Sequence, residues 1–190
     1  LRPSKFEVPF GLRREGSHPG VPILSAGREE KLSGIIDRID TDSEGKLGYV
    51  VDYKYSDSSR VRDQFKTSFS GDLANFQPAI YLLALREVLG LEAVGAELLS
   101  AKKGIHRFAV GRESLVEIWG PPEKSERLGE ADFEEFLSRA RKVMADLIAS
   151  ARTGDIETRP RDLQACGPGA CDAADVCRYD RWLGGRMRGD

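Results

Sequence analysis

The chain has 190 residues, 40% of them hydrophobic and 32% charged, enough apolar content for the core of one main domain with a small appendage at one end. Lys plus Arg number 29 against 31 Asp plus Glu, a formal net charge of -2, so bulk charge by itself announces no nucleic-acid partner. The longest apolar stretches, such as Ala79 to Leu85, fall far short of the roughly 20 residues that a membrane span needs; with no leader ahead of the first polar residues the expectation is a cytoplasmic protein, and the start at Leu1 reads as that of a fragment cut from something larger.

In chain order, Lys5 to Phe10 alternates apolar and polar residues as a short strand does, and a Gly-, Pro- and charge-rich loop over 14–30 follows. Lys31 to Thr41 and Leu47 to Tyr55 read as two strands. The polar run Asp42-Ser43-Glu44-Gly45-Lys46 between them supplies the glycine of a tight turn, so residues 31–55 form a β-hairpin. From Asp72 to Leu89 the apolar residues Leu73, Phe76, Ile80, Leu83 and Ala84 recur at helical spacing, with Pro78 near the first turn and Gly90 at the C-cap. Strands are predicted at 93–101, 106–110 and 114–119. A long amphipathic helix is predicted from Glu130 to Arg152, with Phe133, Phe136, Leu137, Ala140, Met144, Leu147 and Ile148 on one face. Residues 154–190 change texture: they are rich in Gly, Asp and Arg and hold all three cysteines. The expected division is a core over 1–153 and a cysteine tail over 154–190.

The hairpin carries the chemistry. A turn that places Ser43 opposite Lys46 puts Asp37 directly across from Asp52, with Ile35, Asp37 and Ile39 sharing a sheet face with Val50, Asp52 and Lys54. Directly opposed carboxylates repel, so something positive is expected between them. A hard cation such as Mg²⁺ or Mn²⁺ takes oxygen ligands from one or two carboxylates and keeps its other positions for water and phosphate oxygens. Lys54, two residues after Asp52, projects to the same face. That set suits metal-dependent phosphodiester hydrolysis. The triplet Asp52-Tyr53-Lys54 alone reads more readily as a surface ion pair, but Asp37 lies in the apolar run Gly34-Ile35-Ile36-Asp37, where an unpaired carboxylate is costly. Glu7, in the early strand, is a third candidate metal ligand. Gln77 and Tyr81 are four apart and share one helix face.

The stretches GIIDRID, YVVDYK and FQPAIYLLAL, with the Gln-x-x-x-Tyr spacing in the last, resemble the RecB-type branch of the PD-(D/E)xK nuclease superfamily. The resemblance implies a restriction-endonuclease-like α/β core. It implies Asp37 and Asp52 as metal ligands, Lys54 as the catalytic lysine and Gln77 with Tyr81 as the helix pair beside the active centre. Glu7 in KFEVPF is similar to the family's early-strand glutamate. The family's helix ahead of the first strand, which often carries a histidine, has no counterpart before Leu1; His18 and His106 stand elsewhere.

Cys166, Cys171 and Cys177 are spaced Cys-x₄-Cys-x₅-Cys, a local cluster that argues for metal or cluster ligation over disulfides in a cytosolic chain. Zinc and an iron–sulfur cluster both ordinarily take four ligands. The tail resembles the cysteine staple of AddB-type helicase–nuclease subunits and of CRISPR-associated adaptation nucleases, which implies a [4Fe–4S] cluster completed by an upstream cysteine. DNA contact requires local positive charge; Lys102, Lys103 and Arg107 form one candidate segment, and Arg178 and Arg181, with Tyr179 and Trp182 interleaved, form another. The sequence therefore predicts an α/β domain: a central mixed sheet bearing the active hairpin, helices at about 72–90 and 130–152, and a cysteine tail. The expected function is a divalent-metal-dependent DNA nuclease, an exonuclease of repair or recombination that acts on single-stranded DNA, with a helicase–nuclease partner subunit. The alternative is a nuclease-fold module that binds DNA or braces a helicase without cutting.

Overall fold

The computed structural model describes residues 1–69 and 75–155, of which Leu1–Ala149 belong to one unit. Cys166, Cys171, Cys177, Arg178 and Arg181 lie outside the described residues. A six-stranded mixed sheet carries the architecture, in the order β1 (Arg2–Phe10), β4 (Gly34–Thr41), β5 (Leu47–Lys54), β6 (Glu92–Ser100), β7 (His106–Arg112), β8 (Ser125–Leu128). β5 and β6 are parallel, as are β7 and β8; the remaining neighbours are antiparallel. The parallel step from β5 to β6 needs a crossover, and α1 (Ser58–Phe69) and α2 (Gln77–Glu87) lie within it. Helix α4 (Glu130–Arg152) spans the range expected from its apolar periodicity.

The three helices cover one sheet face. Val61 and Phe65 of α1, Ala79 and Leu82 to Leu85 of α2, and Phe133, Phe136, Leu137, Ala140 and Met144 of α4 join Ile36, Ile39, Val50, Ala96, Leu98 and Phe108 of the sheet in the main core. Each large apolar side chain buried there is stabilised by about 1.5–3 kcal/mol relative to exposure. Pro78 stands in the first turn of α2, where its missing N–H is no loss. On the other face Tyr49, Val51, Val94, Ala109 and Trp119 form a smaller cluster, with Trp119 stacked on Tyr49 at 5.9 Å.

Several expectations are corrected. The 14–30 loop contains a hairpin, β2 (Val21–Ser25) paired with β3 (Arg28–Leu32) in a second, two-stranded sheet. Val21, Ile23 and Ser25 face inward while Pro22 and Leu24 alternate outward, and Ala26 and Gly27 both take positive φ, 47° and 76°, at the turn, as a two-residue hairpin turn demands. Ser25 Oγ donates to the Ala145 carbonyl of α4 at 2.6 Å. The single strand expected over 31–41 is therefore two, with Ser33 between β3 and β4. Residues 114–119 are not a strand: a 3₁₀ turn (Glu113–Leu115) runs into the short helix α3 (Val116–Trp119), which buries Trp119 and ends on Gly120 at φ 55°. Helix α1 and strand β8 carry no expectation. The helix expected from Asp72 starts at Gln77; Asn75 and Phe76 precede it, and 72–74 lie outside the described residues.

Candidate active site

The β4–β5 hairpin has the register that a Ser43–Lys46 turn dictates. Thr41 pairs with Gly48, Asp40 with Tyr49, Ile39 with Val50 and Arg38 with Val51. Asp42 Oδ1 accepts the N–H groups of Lys46 and Leu47 at 2.7 and 2.9 Å, and Gly45 supplies φ 66°, so side-chain and backbone chemistry together lock the turn. Regular pairing ends at Arg38. Beyond it the Asp37 carboxylate, rather than a backbone carbonyl, takes the Tyr53 N–H at 2.8 Å. Continuing the same register sets Asp37 opposite Asp52. On the other side, the pairing of Phe6 with Arg38 and Val8 with Ile36 sets Glu7 opposite Asp37.

Asp52 is 2% exposed. Burial raises its carboxyl above the ordinary aspartate range; Lys54 opposes that shift and the nearby charge of Asp37 adds to it. The Lys54 ammonium lies 2.6 Å from Asp52 Oδ2 as an ion pair, although the approach lacks the directionality of a hydrogen bond. Its directional bond goes to Gln77 Oε1 at 2.7 Å. Gln77 Nε2 in turn donates to the Tyr81 hydroxyl at 2.8 Å, and that hydroxyl donates to the Ile35 carbonyl at 2.7 Å. The chain of donors thus runs from the β5 lysine through α2 to the backbone of β4, two residues before Asp37, and it fixes the orientation of the Gln77 amide. Asn75 Oδ1 accepts the Gln77 N–H at 3.2 Å and helps seat the first turn of α2. Burial, chiefly, and the charges of Asp52, Asp37 and Glu7 push the Tyr81 hydroxyl up to about 12, with the Gln77 bond acting against them. The Tyr81 ring packs edge-on against Phe10 at 6.2 Å, beside Gly34, where a Cβ would meet Phe10 Cζ at 2.8 Å and Tyr81 Cε1 at 3.6 Å.

Asp37, Asp52, Lys54, Gln77 and Tyr81 are thus brought together. Glu7 is exposed and holds φ 49°, a left-handed conformation costly for a residue with a side chain. Among the described residues no three His, Cys, Asp or Glu side chains converge as a preformed metal cage; the Asp52, Asp37 and Glu7 carboxylates, whose charges all reach the Tyr81 hydroxyl, are oxygen donors of the kind a hard cation takes. Lys102 and Lys103 stand 3.8 and 3.3 Å from Asp57. Arg107 makes two bonds, of 2.8 and 2.7 Å, to Glu97, which is 1% exposed and also accepts from the Tyr49 hydroxyl; the guanidinium neutralises a buried carboxylate. His18 lies in the loop after β1, where its backbone pairs with Gly11 and Pro9, and His106 opens β7 opposite Ser100. The Ile35 carbonyl and the Tyr53 N–H are functional groups that side-chain reasoning does not reach, because every residue carries them.

No helix among the described residues is long and apolar enough to cross a membrane. No curated protein matches the chain. The model of the PD-(D/E)XK nuclease superfamily matches residues 1–178, a span that takes in the sheet, the splayed hairpin and the lysine relay, and the chain belongs to that superfamily.

Proposed function

We propose that this chain is a divalent-metal-dependent deoxyribonuclease, an exonuclease of DNA repair or recombination that acts on single-stranded DNA. The observation that carries the reading is the convergence of Asp37, Asp52 and Lys54 where the β4–β5 pairing gives out, with Lys54 held by Gln77 and Tyr81. The residues fit a hard cation: two carboxylates on adjacent strands leave positions for water and phosphate oxygens, as Mg²⁺ prefers, and the burial that raises the Asp52 carboxyl is what a divalent charge reverses. When bound, the metal supplies Lewis acidity toward the phosphate and lowers the pKa of water.

The chain's own residues supply the rest. Asp37 and Asp52, with Glu7 of β1 as the third candidate ligand, would hold the cation, and Lys54 keeps a positive charge at the reacting phosphate, where negative charge builds as water attacks phosphorus and the bond to the leaving oxygen breaks. The water's proton passes to solvent and the leaving oxygen takes one up. Gln77 and Tyr81 are positioning residues: they hold the ammonium in place through the Ile35 carbonyl. Lys102 and Lys103 are proposed to meet the phosphate backbone, with Arg107, Arg178 and Arg181. Cys166, Cys171 and Cys177 are proposed, on the resemblance of their segment to the cysteine staple of AddB-type subunits, to give three thiolates to a [4Fe–4S] cluster in the full-length protein, and a helicase subunit is proposed as partner.

The test is degradation of labelled single-stranded DNA with Mg²⁺ or Mn²⁺. Asp52→Ala and Lys54→Ala are expected to abolish it while circular dichroism stays that of the folded protein. Folded variants that cut at the wild-type rate overturn the assignment.

A further inference from the structure

On the sheet face turned away from the catalytic row, three side chains form a second row across the same strands. Phe6 of β1 pairs directly with Arg38 of β4, and Arg38 reaches Tyr53 of β5, with its guanidinium carbon 5.7 Å from the ring centroid and Nη1 donating to the Tyr53 hydroxyl at 2.7 Å. Each member is the chain neighbour of a carboxylate of the catalytic row: Phe6 of Glu7, Arg38 of Asp37, Tyr53 of Asp52. Arg38 pairs with Val51, and Tyr53 follows Val51 by two residues, which sets this row on the face of the Tyr49 and Val51 cluster, away from Val50 and Asp52. Strict alternation is broken between Phe6 and Val8, where Glu7 holds φ 49°, and between Ile36 and Arg38, so that Val8 and Ile36 turn into the helix-side core.

Two properties separate this row from ordinary surface. Phe6 is 61% exposed and Tyr53 45% exposed, and Tyr55, next to Lys54 at the end of β5, is 82% exposed; large exposed aromatics gathered across neighbouring strands mark a contact surface. Arg38, meanwhile, is held flat by two bonds to Asp40, Nε to Oδ1 at 2.7 Å and Nη2 to Oδ2 at 3.0 Å. Its charge is balanced, so what it offers between the rings is a planar stacking surface rather than a point charge. Phosphate-binding charge comes from Arg2 and Lys5, both exposed on the same edge strand as Phe6. Strands β1 and β5 lie two spacings apart, about 10 Å, room for separate bases on Phe6 and on Tyr53.

We propose that Phe6, Arg38 and Tyr53, approached past Tyr55, are a base-stacking platform for the single-stranded part of the substrate as it passes the β5 end of the active site. The proposal rests on the reading of the chain as acting on single-stranded DNA and names the surface that selects it. Unpaired bases offer their faces to aromatic rings, whereas those of a duplex are already stacked on one another. A duplex meets only the basic side chains.

The test compares a fluorescein-labelled oligo(dT) with a hairpin duplex of equal phosphate number, by anisotropy in EDTA so that neither is cut. Phe6→Ala is expected to weaken oligo(dT) binding about tenfold and to leave the hairpin unchanged, and Phe6→Trp to restore oligo(dT) affinity. Hydrolysis of bis(p-nitrophenyl) phosphate, too small to reach the platform, is expected to be unaffected by Phe6→Ala while KM for oligo(dT) rises. If the wild type hydrolyses neither substrate, the nuclease reading fails and the binding comparison still decides the platform. Equal oligo(dT) affinity of Phe6→Ala and wild type, or an equal loss on the hairpin, overturns it. So does a protein partner that shields β1 while oligo(dT) affinity stays at the wild-type value.

Discussion

Replacing Tyr81 with Phe removes one oxygen and with it both ends of the lysine relay. That hydroxyl accepts from Gln77 Nε2 at 2.8 Å and donates to the Ile35 carbonyl at 2.7 Å, and Tyr81 is 6% exposed, so water does not readily replace it. Each bond contributes about 0.5–1.5 kcal/mol net, more where a partner is left unsatisfied, so Tyr81→Phe is expected to cost about 2 kcal/mol. At this chain length the loss lowers Tm by about 4–8 °C. The Gln77 amide, no longer held at its far end, can turn its NH₂ toward the lysine. Weaker placement of Lys54 worth about 1.4 kcal/mol in the transition state lowers kcat about tenfold, with KM for DNA unchanged. Single-turnover cleavage and calorimetry on the same preparations read both effects. Gln77→Ala combined with Tyr81→Phe is expected to slow kcat no further than either change alone, since both cut one chain. The linkage also has a sign in pH. The hydroxyl's folded value is raised to about 12 from 10.0, so its stabilising contribution is complete below pH 10 and fades as pH rises from there toward 12; the Tm gap between wild type and Tyr81→Phe should close over that window. A variant with lowered Tm but wild-type kcat, or additive kcat losses in the double variant, refutes the relay as a positioning device and leaves it a structural bond.

Mg²⁺ at ten times its Kd is expected to stabilise the wild type by about 1.4 kcal/mol, and the Tm rise should vanish in Asp52→Asn; an unchanged rise in that variant places the ion elsewhere. Gly34→Ala is expected to destabilise by about 1–3 kcal/mol and to slow cleavage, because the new methyl meets Phe10 Cζ at 2.8 Å and pushes the ring that seats Tyr81; thermal melts and turnover check it. Tyr49, buried and beside Glu97, has its hydroxyl raised well above the ordinary value, so its contribution to stability should be lost as pH climbs past 10, and alkaline melts of Tyr49→Phe should lack that step. Anaerobic purification of the full-length protein with iron and sulfide analysis is expected to find a cluster that Cys171→Ala removes; iron-free, colourless protein rejects it.

The hairpin was legible because its turn chemistry is local. Asp42 and Gly45 fix the loop, and the loop fixes the register from Thr41–Gly48 to Arg38–Val51, which brings Asp37 and Asp52 to the next position of the two strands. Helix α4 was legible for a similar reason, since Phe133, Phe136, Leu137, Ala140 and Met144 keep a helical period and all are buried. The β2–β3 hairpin hid inside a Gly- and Pro-rich stretch, although its period-two burial over Val21, Ile23 and Ser25 was there to be read. The run around Leu115 to Trp119 looked extended because Leu115, Val116, Ile118 and Trp119 flank a single Glu117, and the helical choice there is set by tertiary burial of Trp119 and by the left-handed Gly120. Helix α1 escapes a pattern search because Val61 and Phe65 are the apolar pair that it sends into the core, too few to set a period. In the site, the spacing of Gln77 and Tyr81 showed that they share a face but not what they hold; the answer, an Ile35 carbonyl on another strand, is backbone and leaves no mark in residue identity.

The site occupies the point at which one hairpin changes character. From Thr41 and Gly48 to Arg38 and Val51 the two strands are bonded in strict register, which fixes the positions of Asp37 and Asp52 relative to each other. Past Arg38 a carboxylate stands in for a carbonyl at the Tyr53 N–H, so the strands part while the ladder's end stays satisfied. An intact ladder would leave no gap between the two carboxylates for a cation and a phosphate, and an unanchored splay would let them move apart. Lys54 poses the same problem one residue further on, at the last position of β5, where strand pairing alone cannot hold a long side chain. Helix α2 answers it from the crossover: Gln77 on its first turn reaches Lys54, and Tyr81 one turn later ties the helix to β4. Both anchors tie β5 to β4, one directly and one through α2, which is why a site at the loose end of a hairpin can be as well placed as one in the middle of a sheet.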